Sequence, residues 1–145
     1  MRTRKLLALL VLLPTVAIAG QDTFPEALQE HLLAIKTRDW AAFEKTLTSG
    51  EQLTFVAPNG KTSTTTQAFK SAMKSWLADT DWSWQLEQIG LTSTANTGIA
   101  VYSVRYSDKD QHGKPYEMKY VLSLVFALEA EGWKLVHDQN TLLAH

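Results

Sequence analysis

Near the carboxyl end of the chain, the stretch WKLVHDQNT places a histidine next to an aspartate, His137 and Asp138. A histidine paired with a carboxylate is a common general base, because the carboxylate stabilises the protonated ring. Side chains alternate along a strand, however, so neighbouring residues point to opposite faces of a sheet. On that alternation His137 shares a face with Gln139 and Thr141, whereas Asp138 becomes a surface or interface residue. The stretch therefore predicts a pocket histidine without a His-Asp pair.

Aromatic side chains and this histidine are the candidate pocket residues. An imidazole titrates near pH ~6.5, so His137 is the best candidate for proton transfer, with Tyr102 and Tyr120 as secondary candidates that could polarise a carbonyl. A structural histidine is the alternative. Indole rings around a cavity would favour an apolar ligand, although the same rings could simply fill the core. The predicted ligand-binding residues are Trp40, Trp76, Trp84, Tyr120, His137 and Gln139.

Other kinds of site lack support in the sequence. The four histidines are scattered and have none of the close spacings typical of zinc ligands, so no metal site is predicted. There is no phosphate-binding glycine loop and no Gly-x-Ser-x-Gly nucleophile elbow, and no cofactor is predicted. The strand acids Glu87 and Glu117 fall on polar faces. We therefore expect no carboxylate base inside the pocket.

Residues 1–19 have the composition of a secretory signal peptide. Three basic residues precede an apolar run, which ends in an Ala-x-Ala pattern that predicts cleavage near Ala19-Gly20. The apolar run is much shorter than the ~20 residues that cross a bilayer, and no later segment is long and apolar enough to do so. The sequence therefore predicts an exported protein, periplasmic or secreted, without a membrane span once the signal is removed.

The remainder, residues 20–145, has the length of a single domain. The leader contains three of the fourteen Lys and Arg residues, so eleven remain against fifteen Asp and Glu. A mildly acidic chain without a basic stripe is poorly suited to nucleic acid, which is bound through clustered positive charges. The chain has no cysteine. Its stability therefore has to come from its core and not from disulfides.

The apolar spacing changes along this domain from helical to strand-like. Two helices are predicted first, the longer one beginning with a capping box formed by Thr23 and Glu26, and the shorter one capped by Asp39. The dipeptide Asn59-Gly60 predicts a hairpin. A third helix follows, and the rest of the chain alternates as four long strands joined by short turns, which is typical of an antiparallel meander.

This element order and the closing motif GWKLVHDQNT resemble the nuclear-transport-factor-2-like superfamily, in particular its SnoaL-like bacterial members. The resemblance covers residues 24–141. It implies an α+β fold in which N-terminal helices pack in the concave face of a strongly bent, mainly antiparallel sheet, forming a cone with a pocket. Family members often carry a second histidine where this chain has Gln139. That difference argues against a role that needs both histidines.

Three functions remain open at this point. The first is an exported protein that binds a small, mainly apolar molecule. The second is a dimerisation or protein-interaction module, because the superfamily commonly forms homodimers through the outer face of the sheet. The third is an isomerase- or hydrolase-like enzyme that uses His137 for proton transfer. For the second function, the residues expected on the outer face are Ala100, Tyr102, Val104, Val121 and Val125.

Overall fold

Three helices and six strands make up residues 23–144, the part of the chain that the computed structural model describes. The predicted leader lies outside the described residues. The helices are α1 (Phe24–Thr37), α2 (Trp40–Lys45) and α3 (Thr66–Ala78). The strands are β1 (Gln52–Val56), β2 (Thr62–Thr65), β3 (Ser83–Ser93), β4 (Thr97–Lys109), β5 (Pro115–Glu129) and β6 (Gly132–Leu142).

Local sequence signals form as predicted. The Glu26 carboxylate accepts hydrogen bonds from the backbone N–H of Thr23 at 2.7 Å and from its hydroxyl at 2.9 Å, which fixes the start of α1. Asp39 caps α2 by accepting from the backbone N–H of Ala42 at 3.0 Å. The turn between β1 and β2 contains Gly60 at φ 81°, a left-handed conformation that glycine adopts readily.

The strands form one sheet in the order β2-β1-β6-β5-β4-β3. The predicted meander is present, because β3 to β6 pair consecutively and antiparallel. Strand β1 joins the other side of β6 in a parallel pair, which brings Phe55 opposite Asp138. The sheet is curved but not closed, so the predicted α+β fold with N-terminal helices is confirmed.

One extra residue in β6 reverses the predicted orientation of its second half. Val125 pairs with His137 while Phe126 pairs with Leu135, so Val136 has no partner and forms a β-bulge. Leu135 faces the core and is fully buried. Because of the bulge, the next inward residue is Asp138 and not His137, and the predicted alternation is wrong beyond Leu135.

The predicted outer face is also wrong for three residues of β4. Ala100, Tyr102 and Val104 are 0%, 6% and 1% exposed and lie in the main hydrophobic cluster. They pair with the equally buried β5 residues that face the helices, and the opposite face carries Val121 and Val125, as predicted. Alternation correctly grouped the β4 residues that share a face. The face that was predicted to point outward is the one that packs against the helices.

Gly98 allows α1 to lie close to the sheet. A Cβ atom at this position would overlap the ring of Phe24, the buried first residue of α1. We expect Gly98→Ala to lower the free energy of unfolding by about 1–3 kcal/mol, because a packed core accommodates an added methyl poorly. Gly90→Ala is the matched control, since a Cβ atom there meets no described atom within 4 Å. Equal urea midpoints for the two variants would contradict this packing role.

A candidate ligand cavity with one buried carboxylate

A cavity of about 260 Å³ lies between helices α1 and α3 and the inner face of the sheet. Its wall is mainly apolar and aromatic, with two polar residues from β6. The lining residues are Ile35, Phe55, Pro58, Ala72, Met73, Trp76, Trp84, Tyr106, Tyr116, Met118, Tyr120, Leu122, Leu124, Asp138 and Asn140. Using ~30 Å³ for each water, this space equals roughly nine waters. The cavity is therefore large enough for a small molecule that contains a ring.

Asp138 is the carboxylate of this cavity and is 7% exposed. Its Oδ1 accepts a hydrogen bond from Asn140 Nδ2 at 2.9 Å, and the same nitrogen donates to the carbonyl of Val56 at 3.0 Å. A carbonyl can only accept, so the Val56 contact fixes the nitrogen side of the Asn140 amide. Burial raises the pKa of Asp138 to about 7, although the Asn140 bond acts in the opposite direction.

Three polar residues that line the cavity have unused hydrogen-bonding capacity. No side chain of the described residues donates a hydrogen bond to Asp138 Oδ2 or to Asn140 Oδ1. The hydroxyl of Tyr120, a residue that is 4% exposed, likewise has no hydrogen bond to the described part of the chain. Burial and the negative charge of Asp138 raise the pKa of Tyr120, so its hydroxyl stays protonated. A ligand can satisfy these three groups.

Aromatic stacking positions one wall of the cavity. The ring of Trp76 stacks on Trp82 with centroids 4.1 Å apart and planes 10° apart, and Trp84 meets both rings edge-on. Arg38 holds Trp82 from behind, with its guanidinium 4.1 Å from the ring centroid and a 2.6 Å hydrogen bond to the Trp82 carbonyl. The α1 terminus and the start of β3 therefore fix the orientation of the indole wall.

A second carboxylate lies at the mouth of the cavity. Asp108 accepts hydrogen bonds from the hydroxyls of Tyr106 at 2.6 Å and Tyr116 at 3.4 Å, and Trp76 Nε1 donates to the Tyr106 oxygen at 3.2 Å. Tyr116 is 39% exposed and marks the opening. Burial and the nearby carboxylates of Asp108, Asp79 and Asp110 raise the pKa of Tyr116. The mouth is therefore acidic.

The structure brings only half of the predicted ligand-binding residues to this cavity. Trp76, Trp84 and Tyr120 line it. His137 and Gln139 lie on the outer face of the sheet because of the bulge, with His137 Nε2 3.3 Å from Gln139 Oε1. Trp40 packs near Phe43 and is not among the lining residues. The secondary candidate Tyr102 faces inward but is absent from the lining.

Sequence reasoning missed Asp138, and with it the acid inside the cavity. The expectation that no carboxylate enters the pocket is wrong, because it assumed unbroken alternation through β6. One signal was present in the sequence: Leu135 and Val136 are consecutive apolar residues in a strand that otherwise alternates. A β-bulge adds one residue to a strand, so two consecutive apolar residues can mark the point at which alternation is interrupted.

Two further features of residues 23–144 bear on the kind of site. No group of three or more His, Cys, Asp or Glu side chains in this region is arranged to hold a metal ion. No helix within the same residues combines the length and the apolar character required to span a membrane.

A family model matches nearly the whole of the described domain. The model of the SnoaL-like domain matches residues 25–144, so the chain belongs to that family within the nuclear-transport-factor-2-like superfamily. None of the curated proteins matches the chain in sequence.

Solved structures agree on the fold at low sequence identity. A nuclear-transport-factor-2-like protein from Salmonella enterica has a TM-score of 0.67 and 16% identity, covering 83% of this chain and 88% of its own. A protein proposed to be a ketosteroid isomerase, from Shewanella frigidimarina, has a TM-score of 0.65 and 14% identity. The match covers 79% of this chain and 91% of that protein. The CaMKII hub of S. rosetta has a TM-score of 0.61 and 21% identity. The match covers 88% of this chain and 100% of the hub. Identities this low carry the fold alone.

Proposed function

We propose that this protein is exported and binds a small, mainly apolar molecule inside the cone, with Trp76, Trp84 and Tyr120 as its walls and Asp138 as its polar anchor. The observation that carries the proposal is the apolar cavity of about 260 Å³ with a buried carboxylate in its wall. A buried carboxylate costs stability unless something repays it. An apolar space with a few convergent polar groups is the usual form of a ligand site.

A thermal-shift screen of small aromatic and alicyclic compounds tests the proposal. A ligand at ~100 times its dissociation constant stabilises the folded state by about 2.7 kcal/mol, which raises the melting temperature by several degrees. Ala72 lines the cavity and is exposed, so Ala72→Phe should narrow its rim without disturbing the core. We expect this variant to lose the shift.

Ser71→Phe is the matched control for that screen. Ser71 is the exposed neighbour of Ala72 on α3 and is not among the lining residues. The control should keep the full shift of the wild type. A shift that survives in Ala72→Phe would place the ligand elsewhere and contradict the proposal, as would a screen in which no compound stabilises the protein.

Proton transfer at Asp138 is the second candidate function. It is favoured by the pKa of about 7 that burial gives this carboxylate, since a general base works best when its pKa is near the working pH. Asp138 would take the role that the sequence assigned to His137, and the Tyr120 hydroxyl would donate to the developing oxyanion. Loss of solvent-deuterium exchange into a bound ketone on Asp138→Asn is the expected result for an enzyme, and exchange that persists would argue against it.

Pairing with a second copy remains part of the proposal. The outer face of the sheet carries the half-buried apolar side chains Val101, Val121 and Val125. The likeness in fold to the CaMKII hub of S. rosetta supports association between copies of the chain. Light scattering after size exclusion should give twice the mass of one chain.

Export is tested separately. Mass spectrometry of the exported protein should give a sequence that begins at Gly20.

A further inference from the structure

Two of the hydrogen-bonding groups left unused in the cavity are acceptors, and the third is the Tyr120 hydroxyl, which can donate or accept. Both bonds of the Asn140 amide nitrogen are directed to protein acceptors, Val56 and Asp138, so its oxygen is the free atom of that amide. Asp138 Oδ2 accepts in its ionised form, and the Tyr120 oxygen can accept as well. A ligand group that matches this set carries several donors.

The walls of the cavity favour positive charge in the ligand. No lysine, arginine or histidine is present among the described residues that line it. Six aromatic residues do line it, three phenols, two indoles and the phenyl ring of Phe55, and the faces of such rings attract cations. A carboxylate ligand would meet the like charge of Asp138 instead, without a cation to offset it.

The acidic mouth acts in the same direction. The negative charges of Asp108, Asp79 and Asp110 act on Tyr116 at the opening, and Lys109 forms an ion pair with the exposed Asp81 at 3.4 Å. Negative charge at the opening of a cleft raises the local concentration of cations and speeds their entry.

We infer that the cone binds an amine-bearing ring compound, with the ammonium group held by Asp138 Oδ2, Asn140 Oδ1 and the Tyr120 oxygen, and the ring packed against the wall formed by Trp76 and Trp84. An ammonium group has three donors and no acceptor, which matches those three oxygens. The inference rests on the proposed function, because it names the ligand class of the same cavity. It excludes the fatty acids and aromatic acids that an apolar pocket alone would admit.

Three indoles of nearly equal size test the charge preference: tryptamine, tryptophol and indole-3-acetate. Calorimetry at pH 8 should show tryptamine binding at least tenfold more tightly than tryptophol, and indole-3-acetate most weakly. Asp138→Asn keeps the shape of the side chain and removes its charge, so it should bring tryptamine to within about threefold of tryptophol. Glu87→Gln, at an exposed acid of β3 outside the cavity, should leave the preference unchanged.

The pH profile of the wild type gives a second readout that does not depend on a variant. The other titratable groups in the lining are Tyr106, Tyr116 and Tyr120, and burial raises the pKa of each, so they remain neutral from pH 6 to pH 8. The pKa of Asp138 is about 7. Tryptamine should therefore bind about tenfold more weakly at pH 6 than at pH 8, whereas tryptophol should not change.

The outcomes separate this inference from the proposed function. Equal binding of all three indoles, or tighter binding of indole-3-acetate, overturns the inference and leaves a ligand site that ignores charge. Absence of binding by all three, while other compounds in the thermal-shift screen stabilise the protein, overturns it in the same way. Absence of any stabilising compound overturns the inference and the proposed function together.

Discussion

Asp138→Asn should make the protein more stable at pH 8, by about 2–4 kcal/mol. The pKa of Asp138 is about 7 in the folded protein against 3.8 for the ordinary carboxyl, because burial penalises the charged form. Each pKa unit is worth about 1.4 kcal/mol. The isosteric amide removes that cost, keeps an oxygen for the Asn140 bond and adds only the cost of its own buried donors.

The same variant should remove the contribution of Asp138 to the pH dependence of the free energy of unfolding. Between pH 4 and 7 the unfolded chain has lost the Asp138 proton while the folded protein retains it. Stability contributed by this group therefore falls as pH rises through that window and is constant above about pH 7. Asp138→Asn eliminates this fall. Urea unfolding at several pH values, with the exposed Glu87→Gln as control, measures it, and a variant less stable than the wild type at pH 8 would contradict the burial argument.

His31→Leu should protect the protein against acid. His31 is fully buried in α1, and its Nδ1 lies 2.7 Å from the Thr46 hydroxyl oxygen. That hydroxyl donates to the carbonyl of Phe43 at 2.7 Å, so it accepts from His31 and the ring proton is on Nδ1. Within residues 23–144 Nε2 has no hydrogen-bond partner, and the imidazole ring packs against the rings of Phe43 and Phe126. Protonation would add a buried, unpaired charge.

Burial accordingly lowers the pKa of His31 to about 3, against 6.5 for the ordinary imidazole. Between these values the unfolded chain binds the proton and the folded protein does not. The stability contributed by neutral His31 is therefore complete above about pH 6.5 and is lost on acidification, at about 1.4 kcal/mol per pH unit down to about pH 3. Leucine should remove this loss, whereas His112→Gln in an exposed turn should not.

The two buried groups oppose each other between about pH 4 and 6.5. Asp138 favours the folded state on acidification and His31 disfavours it, with similar slopes. The contributions of these two groups should therefore nearly cancel in the wild type there. Asp138→Asn should reveal a rise with pH and His31→Leu a fall. Parallel profiles for the two variants would contradict the assignment.

Local chemistry explains why much of this fold could be predicted. The cap formed by Thr23 and Glu26 and the turn at Gly60 depend on residues within a few positions of each other, so they can be read from sequence. The bulge at Val136 depends on how β6 pairs with β5 across the turn that joins them, and alternation within β6 alone cannot place it. Strand β4 carries apolar residues on both faces, and the face that meets α1 is the one on which Phe24 packs over Gly98.

The most direct test of the cavity as a ligand site uses its two methionines. Met73 and Met118 both line it, and they are the chain's only methionines after Met1. With methyl-labelled methionine, titration of the compound that gives the largest thermal shift should move both methyl signals with a single dissociation constant, and Ala72→Phe should abolish the movement. A compound that stabilises the protein while both signals stay in place would contradict the account.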